Sequence, residues 1–215
     1  GIVGRNTGST KLDTVTILEG SKLTYNRGSD QLPFEKAYIS NFVGYSTGSL
    51  NIDDCVCYGD IVVSASNMTR ESKDADLYCG GLIGASTGSL DIDYTCHYGD
   101  ITITQPTSTD NPHNDNYQYL HVGGIIGKSS AACNIYRSIY SGAIKMTGSL
   151  WIRDGDAAIG GIVGKHTSGA LTVNGCNNYA DIDLSETHYM CVGGLVGSSD
   201  TSGNLNVRGC TNWGQ

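Results

Sequence analysis

Three aspartates recur at one place in a repeated turn: Asp60 and Asp100 follow Tyr-Gly, and Asp181 follows Tyr-Ala. Carboxylates set side by side on one surface could run acid–base chemistry on a polysaccharide or ligate calcium. An aspartate can also cap its own turn by accepting a backbone N–H. Recurrence in every good copy favours that structural role, because a catalytic site is one place rather than a period. Asp53, Asp54, Asp91 and Asp93 form an outward acidic stripe that reads as a solvated face. No EF-hand or GGxGxD pattern accompanies it, so no resident cofactor is expected, with calcium the one candidate.

The eight cysteines are Cys55, Cys57, Cys79, Cys96, Cys133, Cys176, Cys191 and Cys210. A cysteine at a repeated position serves as a small hydrophobe in a core column or as half of a disulfide. Disulfide geometry restricts pairs to the same or adjacent repeats. Cys176 with Cys210 is the leading pair, and Cys57 or Cys55 with Cys96 comes next. A CxC without any CxxC argues against zinc. The histidines, His97, His113, His121, His166 and His188, form neither HExxH nor a recognisable serine–histidine arrangement, and are expected at the surface or in loops. Asn67-Met68-Thr69 is an N-glycosylation sequon in a polar segment.

The elements that must position these residues are repeats. The closing glycines of GIVG, NFVG, GGLIG, GGIIG, GGIVG and GGLVG are Gly4, Gly44, Gly84, Gly127, Gly164 and Gly197, separated by 40, 40, 43, 37 and 33 residues. Modules therefore start near residues 1, 41, 80, 123, 160 and 193 of a single repeat domain, with the last incomplete. Leu50-Asn51-Ile52-Asp53, Leu90-Asp91-Ile92-Asp93, Leu171-Thr172-Val173-Asn174 and Leu205-Asn206-Val207-Arg208 alternate apolar and polar, as do Ile101-Thr102-Ile103-Thr104 and Ile182-Asp183-Leu184. Such runs are half-buried strands. None can bury its face alone, but stacked repeats complete a common core. The expected fold is all-β: a parallel β-helix, or β-solenoid, of about six coils with three short strands each, wound right-handed by the crossover rule. A propeller blade needs four antiparallel strands, which the modules do not offer. The glycine pairs mark sharp corners, where positive φ or close backbone approach is required.

Composition narrows the function. Thirty glycines and three prolines in 215 residues exclude collagen, and 17 aspartates against four glutamates argue against a helical bundle. A net charge of −8 argues against a nucleic-acid groove. No apolar run reaches the ~20 residues of a membrane span. The longest variable segments, 65–79 and 105–122, read as loops and are the expected carriers of binding. Tyr78, Tyr117 and Tyr119 lie in them, and Tyr189 lies in an equivalent place, suited to a glycan or protein ligand.

The pattern GG-aliphatic-aliphatic-G, small polar turn, Leu-x-Ile, Cys, Tyr-Gly-Asp-Ile resembles the GLUG-motif repeats of large secreted and surface-anchored microbial proteins. The best matches are 80–101, 41–61, 160–182 and 193–214. The resemblance implies a non-catalytic, extracellular or cell-surface β-solenoid: a stalk, an adhesin segment or a filament subunit. Uncapped solenoid ends expose strand edges that invite pairing, so continuation in a longer chain or end-to-end self-association is also expected. The alternative is a β-helical polysaccharide lyase or hydrolase, or a carbohydrate-binding module. An enzyme of that kind needs carboxylates clustered with a basic residue on one face, and the 13 basic residues do not cluster in the sequence.

Overall fold

The alternating runs stack as parallel strands, coil upon coil, with equivalent residues directly above one another. A computed structural model describes residues 1–27, 36–65, 76–104, 117–148, 152–184, 190–200 and 204–214. Among these residues every element is a strand, and the strands form five sheets. The first sheet holds Val3–Asn6, Val43–Ser46, Ile83–Ser86, Ile126–Ser129, Val163–His166 and Val196–Ser199. The second holds the Leu-x-Ile runs: Thr10–Asp13, Leu50–Asp53, Leu90–Asp93, Cys133–Tyr136, Leu171–Asn174 and Leu205–Arg208. The third is built of two-residue strands, among them Val56–Cys57, Cys96–His97, Ile139–Tyr140 and Asn177–Asn178. The fourth runs through Asp60–Ala65, Ile101–Thr104 and Ile144–Thr147. The fifth comprises Lys36–Ile39, Asp76–Gly80, Tyr117–Gly123, Ile152–Gly160 and Met190–Gly193.

The β-solenoid expectation holds, with two corrections. Each full coil carries five strands rather than three, and the chain completes five coils and begins a sixth. The missed strands are the two-residue runs of the third sheet and the whole fifth sheet. The latter includes residues 76–79 and 117–122, which the sequence places in loops.

The core is a set of vertical columns. Leu50, Leu90, Leu171 and Leu205 share one, and Ile52, Ile92, Val173 and Val207 share the next. In the degenerate fourth copy, Cys133 and Ile135 fill the same places. Each fully buried aliphatic chain contributes about 1.5–3 kcal/mol. The third sheet places a more polar column inside: Ile17, Cys57, His97, Tyr140, Asn178 and Asn212 in register.

That column explains the glycine pairs. Neither glycine of any pair adopts positive φ; the requirement is space. A Cβ on Gly124 would lie 2.0 Å from Tyr140 Cδ1 and 2.2 Å from the Gly161 carbonyl oxygen. In the second coil Ser40-Asn41 replaces the pair, and the column residue there is the small Cys57. Asn41 Nδ2 donates to the Gly59 carbonyl at 2.6 Å, the carbonyl that His97 Nε2 meets at 3.2 Å. A larger corner residue is thus matched by a smaller column residue.

Urea unfolding followed by circular dichroism checks this. Gly124→Ala should cost about 3 kcal/mol or more. Gly8→Ala, whose Cβ would meet nothing within 4 Å, should stay within about 0.5 kcal/mol of the parent.

Candidate ligand-binding groove

Asp60 and Asp100 bind coil to coil, a correction to the expected cap. Asp60 accepts the backbone N–H of Asp100 at 2.9 Å, and Asp100 accepts that of Ala143 at 2.8 Å. A parallel stack puts the next turn's N–H above each carboxylate, which accounts for the 40- and 43-residue steps.

The cysteines follow a similar logic. Cys55, Thr95, Ser138, Cys176 and Cys210 occupy equivalent places, each directing its Sγ or Oγ hydrogen to the carbonyl two residues back. The Val15, Thr95 and Cys176 amides donate to Cys55 Sγ, Ser138 Oγ and Cys210 Sγ of the following coil. Before each of these residues the chain passes through positive φ, at Asp54, Tyr94, Arg137, Gly175 and Gly209. Cysteine is therefore interchangeable here with serine and threonine, as a small polar group that ties down a left-handed turn. All eight thiols are free. Cys176 and Cys210 are neighbours in successive coils, as expected. Cys57 and Cys96 lie in paired strands of successive coils but out of register: Cys57 pairs with His97 and Cys96 with Val56. Consecutive strand residues point to opposite faces, so Cys57 is buried while Cys96 is partly exposed.

The histidine expectation is overturned for the described residues. His97, His121 and His166 are buried; His113 and His188 lie outside the described residues, as do Asn67 and Tyr189. His97 Nδ1 lies 2.9 Å from the Gly124 carbonyl oxygen and Nε2 3.2 Å from that of Gly59, the neutral ring donating its single N–H to one of them, and the ring stacks on Tyr140. His166 Nδ1 lies 2.6 Å from Ser129 Oγ. His121 is different. It is 1% exposed, and neither ring nitrogen makes a hydrogen bond.

His121 sits where the outer faces of the fifth and first sheets meet. The sheets come together because glycine closes each GG-aliphatic-aliphatic-G run. A Cβ on Gly84 would lie 2.5 Å from the Gly44 carbonyl and 2.9 Å from the Ile39 amide nitrogen of the fifth sheet. Two outward rows of the fifth sheet line the groove: Lys36, Asp76, Tyr119 and Asp156, and beside them Tyr38, Tyr78, His121 and Ala158. The first sheet supplies Arg5, Tyr45, Ala85, Lys128 and Lys165 in one row. Tyr38 stacks on Tyr45 at 4.5 Å and on Tyr78 at 5.2 Å. Lys128 Nζ lies 5.1 Å from the Tyr78 ring centre and 5.9 Å from that of Tyr119. Lys165 pairs with Asp156 and, at 2.5 Å, with Asp200. Lys36 lies 3.8 Å from Asp76, whose carboxylate accepts the Tyr78 hydroxyl at 2.9 Å. Three lysines and three aspartates thus gather on one face, although the sequence showed no such cluster.

Of the tyrosines singled out by sequence, Tyr78 and Tyr119 do come together, on strands rather than loops. Tyr78 is buried and forms the floor; Tyr119 is half-buried and borders the groove. Tyr117 lies in the same strand, but its side chain is outside the described residues. Tyr38, Tyr45, His121, Lys128, Lys165 and Asp156 were missed. The signal that places three of them, Tyr38, His121 and Asp156, is alternation just before each corner, as in Asp76-Leu77-Tyr78-Cys79 and Tyr119-Leu120-His121-Val122; Tyr45, Lys128 and Lys165 each follow the closing glycine of a GG-aliphatic-aliphatic-G run or its equivalent. The tyrosines of the Tyr-Gly-Asp turns are a poorer candidate surface. Tyr58 and Tyr98 stack on each other at 5.1 Å and cover each other's faces.

Burial, with Lys128 and Lys165 adding repulsion, pushes His121 down to about 3. Burial also lowers His97 and His166. The folded protein keeps these rings neutral, whereas the unfolded chain takes up protons near 6.5. For His121 the unfolded state therefore binds more protons between about 3 and 6.5, and stability falls as pH drops through that window, by up to ~1.4 kcal/mol per unit; the lowered His97 and His166 act in the same direction. Thermal melts from pH 7 to 4.5 should show this fall, and His121→Asn should make it shallower.

No protein-family model, curated protein or solved structure matches the chain. Among the described residues, no helix is long and apolar enough to cross a membrane, and no group of three or more His, Cys, Asp or Glu side chains could hold a metal ion.

Proposed function

We propose that this chain is a structural repeat domain of an extracellular or cell-surface protein, a stalk, adhesin segment or filament subunit, whose lateral groove binds a saccharide without turning it over. The groove at the junction of the fifth and first sheets carries this reading. It sets a half-buried tyrosine face, an ammonium and an unbonded imidazole side by side on a stacked, ladder-bonded scaffold. Aromatic faces pack on the apolar side of sugar rings, and nearby polar groups meet the hydroxyls. The GLUG-like motifs point to the same setting. We assign binding to this groove rather than to the variable loops because Tyr78, Tyr117 and Tyr119, which suggested the loops, belong to strands.

A second reading, a β-helical polysaccharide lyase or hydrolase, is favoured by one observation: Asp76, Asp156 and Asp200 share a face with Lys36, Lys128 and Lys165. A glycan array probed with the purified chain, followed by titration of its hits, tests the binding reading. Tyr119→Ala should weaken any hit at least tenfold while leaving the circular dichroism spectrum unchanged. Incubation of those hits with the protein should leave the chains intact; newly formed reducing ends or unsaturated sugars would favour the enzyme reading. Electron microscopy separates the structural uses, discrete rods favouring a stalk or adhesin segment and long fibres a filament subunit.

A further inference from the structure

Among the described residues the groove has one half-buried lysine without a carboxylate partner and one imidazole without a hydrogen bond; Arg5, also without an ion pair, is exposed and lies over Tyr45 at the far end. Lys165 is committed to Asp156 and Asp200, and Lys36 to Asp76. Lys128 is half-buried and, among the described residues, has no carboxylate within ion-pair reach; its ammonium rests over the Tyr78 and Tyr119 rings. His121 flanks the same two rings, with centroids 5.4 Å from Tyr78 and 6.1 Å from Tyr119. It is buried with both ring nitrogens unbonded, and its nearest carboxylate, on Asp156 at 3.6 Å, is held by Lys165. A buried polar group without a partner costs stability, and a partly desolvated ammonium without an anion is held at a disadvantage. Burial accordingly lowers the Lys128 pKa.

We infer that Lys128 and His121 form the seat for a carboxylate carried by an acidic sugar, with the sugar ring against Tyr119. This rests on the reading of the groove as a saccharide site and names the class of saccharide. A carboxylate would give Lys128 a charge-assisted hydrogen bond and could accept the N–H of the neutral His121 ring. The seat is specific because the remaining lysines already hold aspartates, so a ligand gains most where the protein's own charges are unspent. A neutral sugar would leave both groups unpaired, and sites built to bond a missing group reject the analogue strongly.

Titration calorimetry with a panel of uronate oligosaccharides (galacturonate, glucuronate and mannuronate chains) and their carboxyl-reduced counterparts tests this. The expected result is binding of at least one acidic chain, at least tenfold weaker binding of its reduced form, and weakening as salt is raised. Lys128→Met should erase the preference for the acid, and Lys128→Arg should retain it. If an acidic chain and its reduced form bind equally, or Lys128→Met keeps the preference, the carboxylate seat is overturned while the groove stands. If a neutral chain alone binds, the seat is likewise overturned. Should neither series bind, and the glycan array also be blank, the saccharide groove itself falls.

Discussion

The structure depends on one close approach: the backbone of each coil lies against the next at the corner between the fifth and first sheets. There the chain runs amide to carbonyl through the glycine pairs. Asn41 N–H donates to Gly81 O at 3.1 Å, Gly81 N–H to Gly123 O at 3.1 Å, Gly124 N–H to Gly160 O at 3.2 Å, and Gly161 N–H to Gly193 O at 3.2 Å. Side chains at these positions would push the coils apart, and the ladders of all five sheets share one stacking distance. What keeps this corner in contact therefore keeps every column in register. The aliphatic columns supply most of the burial, but a one-residue slip would turn each inward Leu and Ile outward.

The same approach makes the groove. Because glycine lets the first sheet meet the fifth, two outward faces converge, and side chains that would be solvated on a flat sheet become buried. Lys165 is 5% exposed and His121 1% exposed although both lie on outer rows. Partial desolvation then does the chemistry: it drives Lys165 into its two aspartates, keeps His121 neutral, and leaves Lys128 as a cation with no ion-pair partner among the described residues. The groove changes character along its length. Tyr38, Tyr45 and Tyr78 stack on one another at one end, with Arg5, Lys36 and Asp76 beside them, and Lys128, Lys165, Asp156 and Asp200 occupy the other.

Much of the fold was legible because it is periodic. The 40-residue steps and the Leu-x-Ile alternation predicted four members of each core column, Leu50, Leu90, Leu171 and Leu205 and beside them Ile52, Ile92, Val173 and Val207, but not those of the degenerate first and fourth copies. What escaped was short or masked by its surroundings. A two-residue strand such as Cys96–His97 carries no periodicity to see. The fifth sheet is hidden by polar outward residues and by polar stretches before it. The repeated aspartates and cysteines were seen as special, but their partners were not. Asp60 and Cys55 bond along the stack, and a single repeat contains no trace of what its neighbour presents. The groove was the least legible feature, because it joins residues of different modules whose lysines are scattered in the chain.

Amide hydrogen exchange resolved to single residues tests the central claim most directly. If the corner ladder holds the stack, the amides of Gly81, Gly124 and Gly161 will exchange as slowly as those of the core strands Leu90–Asp93 and Cys133–Tyr136, and all will open together. Fast exchange at the glycine amides, with the second-sheet strands still protected, would contradict it and show that the columns hold register without the corner.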